Sequence, residues 1–307
     1  MSAIEGSTSW ARAGDNAVSQ INSALDNSRT KDSLEETEKD RVMRKLALLF
    51  AICAGPALGH EFWLQPTAYR VAADGRLTGN IVNGQNFDGV TLPYVPQRFV
   101  HFKDFTGDKS IDVPGRAGDT PALDMPALAE GLNVLAYQAR YSTVDYENWE
   151  KFAKFAEHKD FGDLLARHQE RGLPMEKFKE LYARFSKTLI GVGNSEGADR
   201  RFGMETEIVA LTNPYTDDLS EGMQLQLYYQ ADVRADSQIE IFEKAPDETV
   251  TIFLVRTDAQ GIATIPVKSG FSYMADAVVL REPSEEKAEA SGAVYETLWA
   301  NLTFQAP

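Results

Sequence analysis

The residues of this chain best suited to holding a metal ion are its four histidines, His60, His101, His158 and His168. His60 stands apart by position. It follows an apolar run, Leu46 to Leu58, that is preceded by Arg44 and Lys45 and ends in Ala57-Leu58-Gly59. A basic flank, an apolar run and a small-x-small exit are the parts of a secretory leader. Cutting after Gly59 makes His60 the first residue of the mature protein. Its free amine and an imidazole nitrogen can then close a chelate ring on copper or nickel. The rival cut, after Ala57, leaves Leu58-Gly59-His60, and a histidine in third place also binds copper and nickel.

His101 is the second candidate ligand. It lies in Phe99-Val100-His101-Phe102-Lys103, which reads as a strand. With Val100 and Phe102 on the core face, Phe99, His101 and Lys103 point the other way. A copper brace formed by His60 and His101 is chemically available if the fold brings the two imidazoles together. His158 and His168 have no histidine or carboxylate at ligand spacing and read as surface residues. Asp217-Asp218 falls in a turn and reads as solvated. No Gly-rich phosphate loop, nucleophile elbow, HExxH or CxxC occurs, so no catalytic residue is assigned and no enzyme signature is present.

Around these residues the chain reads as mainly β. Residues 1–42 are rich in Ser, Asn, Asp, Glu and Lys, with little to build a core. They read as a disordered or mis-called extension, with Met43 the natural start, and residues 43–59 as the signal peptide. Its apolar run is shorter than the roughly 20 residues a membrane span needs. A lipoprotein reading of Cys53 fails on Ile52, where a small residue is wanted. Residues 60–144 alternate short aromatic and β-branched runs with turn signals such as Asn83-Gly84, Asp88-Gly89 and Pro114-Gly115, the pattern of a β-sandwich. Residues 145–190 change period: Trp149, Phe152, Phe155 and Ala156, then Phe161, Leu164, Leu165 and His168, then Phe178, Leu181, Tyr182 and Phe185 recur at helical spacing. This predicts a helical insertion. Residues 191–203 form a turn-rich linker. Residues 204–307 return to strands, with a hairpin at Arg256–Ala263, and read as a second sandwich, immunoglobulin-like or transthyretin-like. The expected architecture is therefore two β-sandwich domains with a helical insertion.

Composition narrows the classes of partner. Residues 60–307 carry 24 basic and 38 acidic residues, a net charge of −14. Such a surface argues against nucleic acid and anionic membrane and is compatible with cation attraction. The single cysteine, Cys53, leaves with the leader, so the mature chain has neither disulfide nor thiolate site. A chain of this size can be stable without either.

Several stretches together resemble the NikM-like family, periplasmic components of nickel and cobalt uptake. These are His60-Glu61-Phe62-Trp63-Leu64-Gln65-Pro66 after the leader, Glu180–Ile190, Phe202–Tyr215 ending in Asn213-Pro214-Tyr215, and Thr257–Arg281 with the closing Leu298–Phe304. The resemblance covers the mature chain. It implies a periplasmic protein with β-sandwich domains that handles a transition metal, of whose ligands only His60 carries over, with His101 in a comparable strand. Two functions follow as expectations. One is a metal-binding protein that delivers nickel, cobalt or copper to a membrane transporter or outer-membrane receptor. The other is a metal-free adaptor or adhesion module docking to an envelope partner.

Overall fold

The longest strand runs where the third stretch of helical spacing stands. The computed structural model describes residues 59–307. Nine strands come first: β1 (Glu61–Pro66), β2 (Arg70–Val71), β3 (Arg76–Gln85), β4 (Asp88–Leu92), β5 (Phe99–Thr106), β6 (Lys109–Asp112), β7 (Leu123–Pro126), β8 (Gly131–Ala139) and β9 (Ser142–Tyr146). Two helices follow, α1 (Trp149–His158) and α2 (Leu164–Glu170), capped by Asn148 and Asp163. After them comes β10 (Phe178–Val192), then β11 (Thr206–Ala210), β12 (Met223–Tyr229), β13 (Asp232–Val233), β14 (Gln238–Lys244), β15 (Val250–Arg256), β16 (Ile262–Ile265) and β17 (Ser272–Arg281). A short helix, α3 (Glu285–Ser291), precedes the last strand, β18 (Ala293–Gln305).

β10 is the spine. It pairs in parallel with β18 along most of its length, while its other edge takes β9 at one end and β8 at the other. Together they centre a ten-stranded sheet ordered β15-β14-β17-β18-β10-β8-β5-β6. The expected third helix is thus a strand, and the reason is burial. A central strand covered on both faces carries apolar residues on both, so Phe178, Leu181, Tyr182 and Phe185 mimic a helical stripe. The consequence is architectural. Strands from 60–144 and from 204–307 share one sheet, so the expected boundary between two sandwich domains is bridged by β10 and β18.

The ten-stranded sheet is the middle of three layers. One face carries Phe102, Tyr137, Ile190 and Val192 against β1, β3 and β7, through Phe62, Leu64, Leu77, Ile81, Leu123 and Met125. Towards its other end that same face packs Phe178, Val278, Tyr295 and Trp299 under α1 and α2. The opposite face lays Leu189, Ile241, Ala275, Ala300 and Leu302 on the small sheet of β11, β12, β13 and β16. These layers bury a mainly β, sandwich-like core.

Two local expectations shift. β5 contains a bulge: Phe99 pairs with Ala139 and His101 with Gln138, leaving Val100 as the extra residue. Phe99 therefore joins Phe102 against Tyr94 and Tyr137, and Val100 is exposed. His101 and Lys103 do point away from Phe102, as the alternation requires. The turn at Asp258–Gly261 forms, with Asp258 Oδ1 accepting from Gln260 and Ile262 amides, but it joins β15 of the large sheet to β16 of the small one. It is a corner between sheets, not a hairpin.

A candidate metal-binding end beside a buried charge cluster

His60 stands immediately before β1, whose residues alternate between two packings. Phe62 and Leu64 enter the core shared with Tyr137, while Trp63 turns to Phe87. The neighbouring strand β3 sets Asn83 opposite Phe62. His60 is exposed, and its Nδ1 lies 3.3 Å from Asn83 Nδ2. On its other side, Asn83 Oδ1 accepts from Arg184 Nη1, also at 3.3 Å. Arginine can only donate, so it fixes which end of the amide it meets. The Asn83 NH2 group then faces His60 and is placed to donate to Nδ1. Just upstream, Gly59 is pressed on Trp299: a Cβ there would lie 2.5 Å from the indole, so only glycine fits without a shift.

Beneath this end lies a cluster of buried charges on the face of the large sheet that β1 covers. Glu240 of β14 is opposite Asp276 of β17, and Asp276 is opposite Asn301 of β18. Lys159, just past α1, reaches down to both carboxylates, at 2.6 Å from Glu240 and 3.0 Å from Asp276. His158 adds a contact of 3.0 Å to Glu240. Arg184 of β10 lies over the rings of Tyr182, Trp299 and Phe62. Glu61 completes the group. Burial, reinforced by Asp276 and Glu240 and opposed by Lys159, pushes its carboxyl up to about 7. Burial also raises Asp276, against the pull of Lys159. For Glu240 burial is outweighed by hydrogen bonds from His158 and Lys159, which hold it low. Four buried atoms of the cluster have no hydrogen-bond partner: Glu61 Oε2, Asp276 Oδ1, Arg184 Nε and Asn301 Nδ2.

Lys159 and Arg184 make this cluster a poor cation cage. Among the described residues, no group of three or more His, Cys, Asp and Glu side chains is placed to hold a metal ion. A site at this end must draw on backbone donors, and the amine of a processed His60 would be the first of them. The cut that would create it falls at the edge of the described residues; the rest of the leader and residues 1–42 lie outside them.

The structure does not bring His101 to His60. Phe62, on the His60 side of β1, packs on Tyr137, whose partner Phe102 shares that face of the large sheet. His101 is on the opposite face, so the sheet separates the two imidazoles and a brace made of both is not formed. Burial and neighbouring Lys103 lower His101, with Asp112 opposing, and its buried Nε2 has no partner. Of the other two histidines, both read as surface, one is not. His168 is fully buried, held between Tyr295 OH at 2.9 Å and the Pro174 carbonyl at 3.0 Å. It extends the buried stripe of Leu164 by one turn of α2. His158 is exposed, as expected, and its ring also reaches Glu240.

Sequence reasoning missed Lys159, Arg184, Glu240 and Asp276. A signal was present in Ile239-Glu240-Ile241 and Met274-Ala275-Asp276-Ala277-Val278, where a single carboxylate interrupts an apolar strand. Buried carboxylates call for partners, but nothing in the spacing says that the partner comes from α1.

No helix among the described residues is long and apolar enough to cross a membrane. No curated protein matches the chain. Among solved structures, one similar chain is the tetra-tandem repeat in the extending region of a large adhesion protein, at 12% identity, covering 81% of this chain and 50% of that one with a TM-score of 0.19. This chain thus spans half the length of that structure, and so loose a superposition carries no argument. The family model described as a domain of unknown function, DUF4198, matches residues 57–281, and the chain belongs to that family.

Proposed function

We propose that the mature chain begins at His60 and binds one nickel, cobalt or copper ion through the His60 amine and imidazole, in the periplasm, as part of metal uptake. The observation that carries this is the Arg184–Asn83–His60 relay, which turns the Asn83 NH2 group toward Nδ1, beside the backbone that would become the free amine. A metal at Nδ1 displaces the weak Asn83 contact. The NikM-like resemblance supports delivery to a membrane metal transporter or outer-membrane receptor.

The test is calorimetric titration with copper and with nickel of protein whose first residue is His60. His60→Ala, and a form with one extra residue before His60, should each bind roughly a hundredfold more weakly, about 2.7 kcal/mol. The extended form keeps the imidazole but moves the amine, so it isolates the chelate. His101→Ala should match the parent. An α-amine titrates near 8 in model peptides, so binding should tighten from about pH 6 to 8. Equal affinity in all four proteins would sink this hypothesis.

One observation favours the adaptor as the second reading. β15 is an edge strand of the large sheet and exposes Leu254 at 55% and Ile252 at 40%. Edges are usually blunted by charge or shortness, as in the four-residue β6 with Lys109 and Asp112. An envelope partner that pairs with β15 would be lost on Leu254→Lys, with metal binding untouched.

A further inference from the structure

Away from His60, a cleft of about 200 Å³ opens between the α1–α2 connection, the segment 234–238 and β17. Two guanidinium groups line it. Arg167 of α2 donates to the Phe161 carbonyl at 2.7 Å, and Arg234 donates to the Val278 carbonyl at 3.1 Å. Neither makes an ion pair with a carboxylate among the described residues, and Arg234 Nη1 is buried without a partner. The two carboxylates of the lining, Asp160 and Asp236, are both taken by Arg256. Lys159, also in the lining, is occupied by Glu240 and Asp276. A second cleft of about 40 Å³ shares Arg167 and Leu280 and adds Arg171, whose Nη1 is likewise buried and unpartnered.

A buried guanidinium without a counter-charge is costly, because desolvation is not repaid by attraction. Burial lowers Arg234 to about 10, with only Tyr229 opposing, which reports that missing partner. Guanidinium forks match the two oxygens of a carboxylate or phosphate. Val279 and Leu280 add apolar wall to the same cleft. Its volume falls below the roughly 300–1,000 Å³ of pockets for drug-sized ligands, so the occupant is compact.

We infer that this cleft binds a small oxyanion, a phosphate or the carboxylate of a compact organic acid, between Arg167 and Arg234. Such a ligand completes the charge pairing that the protein leaves open. The inference does not involve His60, so its failure leaves the metal reading standing.

The test uses protein covering residues 60–307 in chloride buffer, titrated with inorganic phosphate and separately with malonate at constant ionic strength. Saturable binding of phosphate alone identifies a phosphate site, of malonate alone a carboxylate site, and of both the shared chemistry. Arg167 is exposed, so Arg167→Gln should fold normally and weaken binding about tenfold, the worth of one charge-assisted hydrogen bond. Arg234→Gln should weaken it at least as much, with circular dichroism confirming its fold. Arg116→Gln, exposed and outside the cleft, should bind as the parent does. No saturable binding of either anion, or binding unchanged in Arg167→Gln, overturns the inference.

Discussion

Lys159 Nζ lies 2.6 Å from Glu240 Oε2, and both residues are almost wholly removed from solvent. The contact fastens the end of α1 to β14, and a second bond to Asp276 carries it on to β17. The ammonium is held charged: burial opposes that, but Asp276, Glu240 and Glu61 raise its pKa regardless. Lys159 is thus the cation that bonds directly to both carboxylates.

Replacing it exposes that balance. Lys159→Met keeps most of the side-chain volume but leaves Glu240 and Asp276 facing each other without their cation. Breaking a buried pair by removing one partner costs about 3–5 kcal/mol. Urea unfolding at pH 7 should show a loss of that order, and adding Asp276→Asn to Lys159→Met should recover part of it. A single variant as stable as the parent would show that the cluster is already hydrated and open.

Asp104 gives the stability a pH slope. It is fully buried on β5, and neither carboxyl oxygen makes a hydrogen bond of ordinary geometry with a side-chain or backbone partner. Burial pushes it up to about 7, opposed only by the nearby Leu128 and Phe105 amides. The unfolded chain ionises it near 4, so the fold favours the protonated form. Its penalty is absent below about pH 4, grows as pH rises to about 7, and is constant above. Asp104→Asn removes the titration. The stability difference, variant minus parent, should therefore grow by about 3–4 kcal/mol between pH 4 and 8, whatever fixed offset the amide introduces. A difference that is flat with pH would mean the carboxylate finds a partner in solution.

How much of this was readable in the chain depends on what each residue's neighbours are. The mainly β character, the first two helices and the turn at Asp258–Gly261 follow from local pattern and turn chemistry. β10 does not, because its two buried faces erase the alternation that marks a strand. The hairpin joining β3 to β4 misleads in another way. Asn83-Gly84 and Asp88-Gly89 look like turns, yet Gly84 and Gly89 face each other across the ladder and a Cβ on Gly84 would meet the backbone of Asp88 and Gly89. The turn itself is Asn86-Phe87, both at positive φ, a conformation that costs a bulky residue something. Phe87 is held there by burial against Trp63, a tertiary effect that local preference cannot show. The candidate site divides in the same way. His60 stood out from its place after the expected leader. The relay through Asn83 and Arg184 joins residues 101 positions apart, and only the fold reveals it.

The helices give the last prediction, which separates their packing role from their exposed surface. Phe152 of α1 is fully buried, stacked on Tyr295 of β18 at 4.8 Å and edge-on to Tyr146 of β9 at the same distance. It also meets Phe178 at the start of β10, so one ring touches three strands of the large sheet. Truncating a ring so enclosed removes its transfer free energy and leaves a cavity that β-sheet backbone closes poorly. Phe152→Ala should cost about 3–5 kcal/mol in chemical denaturation. Leu165 of α2 is 41% exposed and lies outside this cluster, so Leu165→Ala should change stability by about 0.5 kcal/mol or less. If the two substitutions cost the same, α1 does not pack on the sheet as a fixed layer, and the α1–α2 connection that lines the anion cleft loses its support.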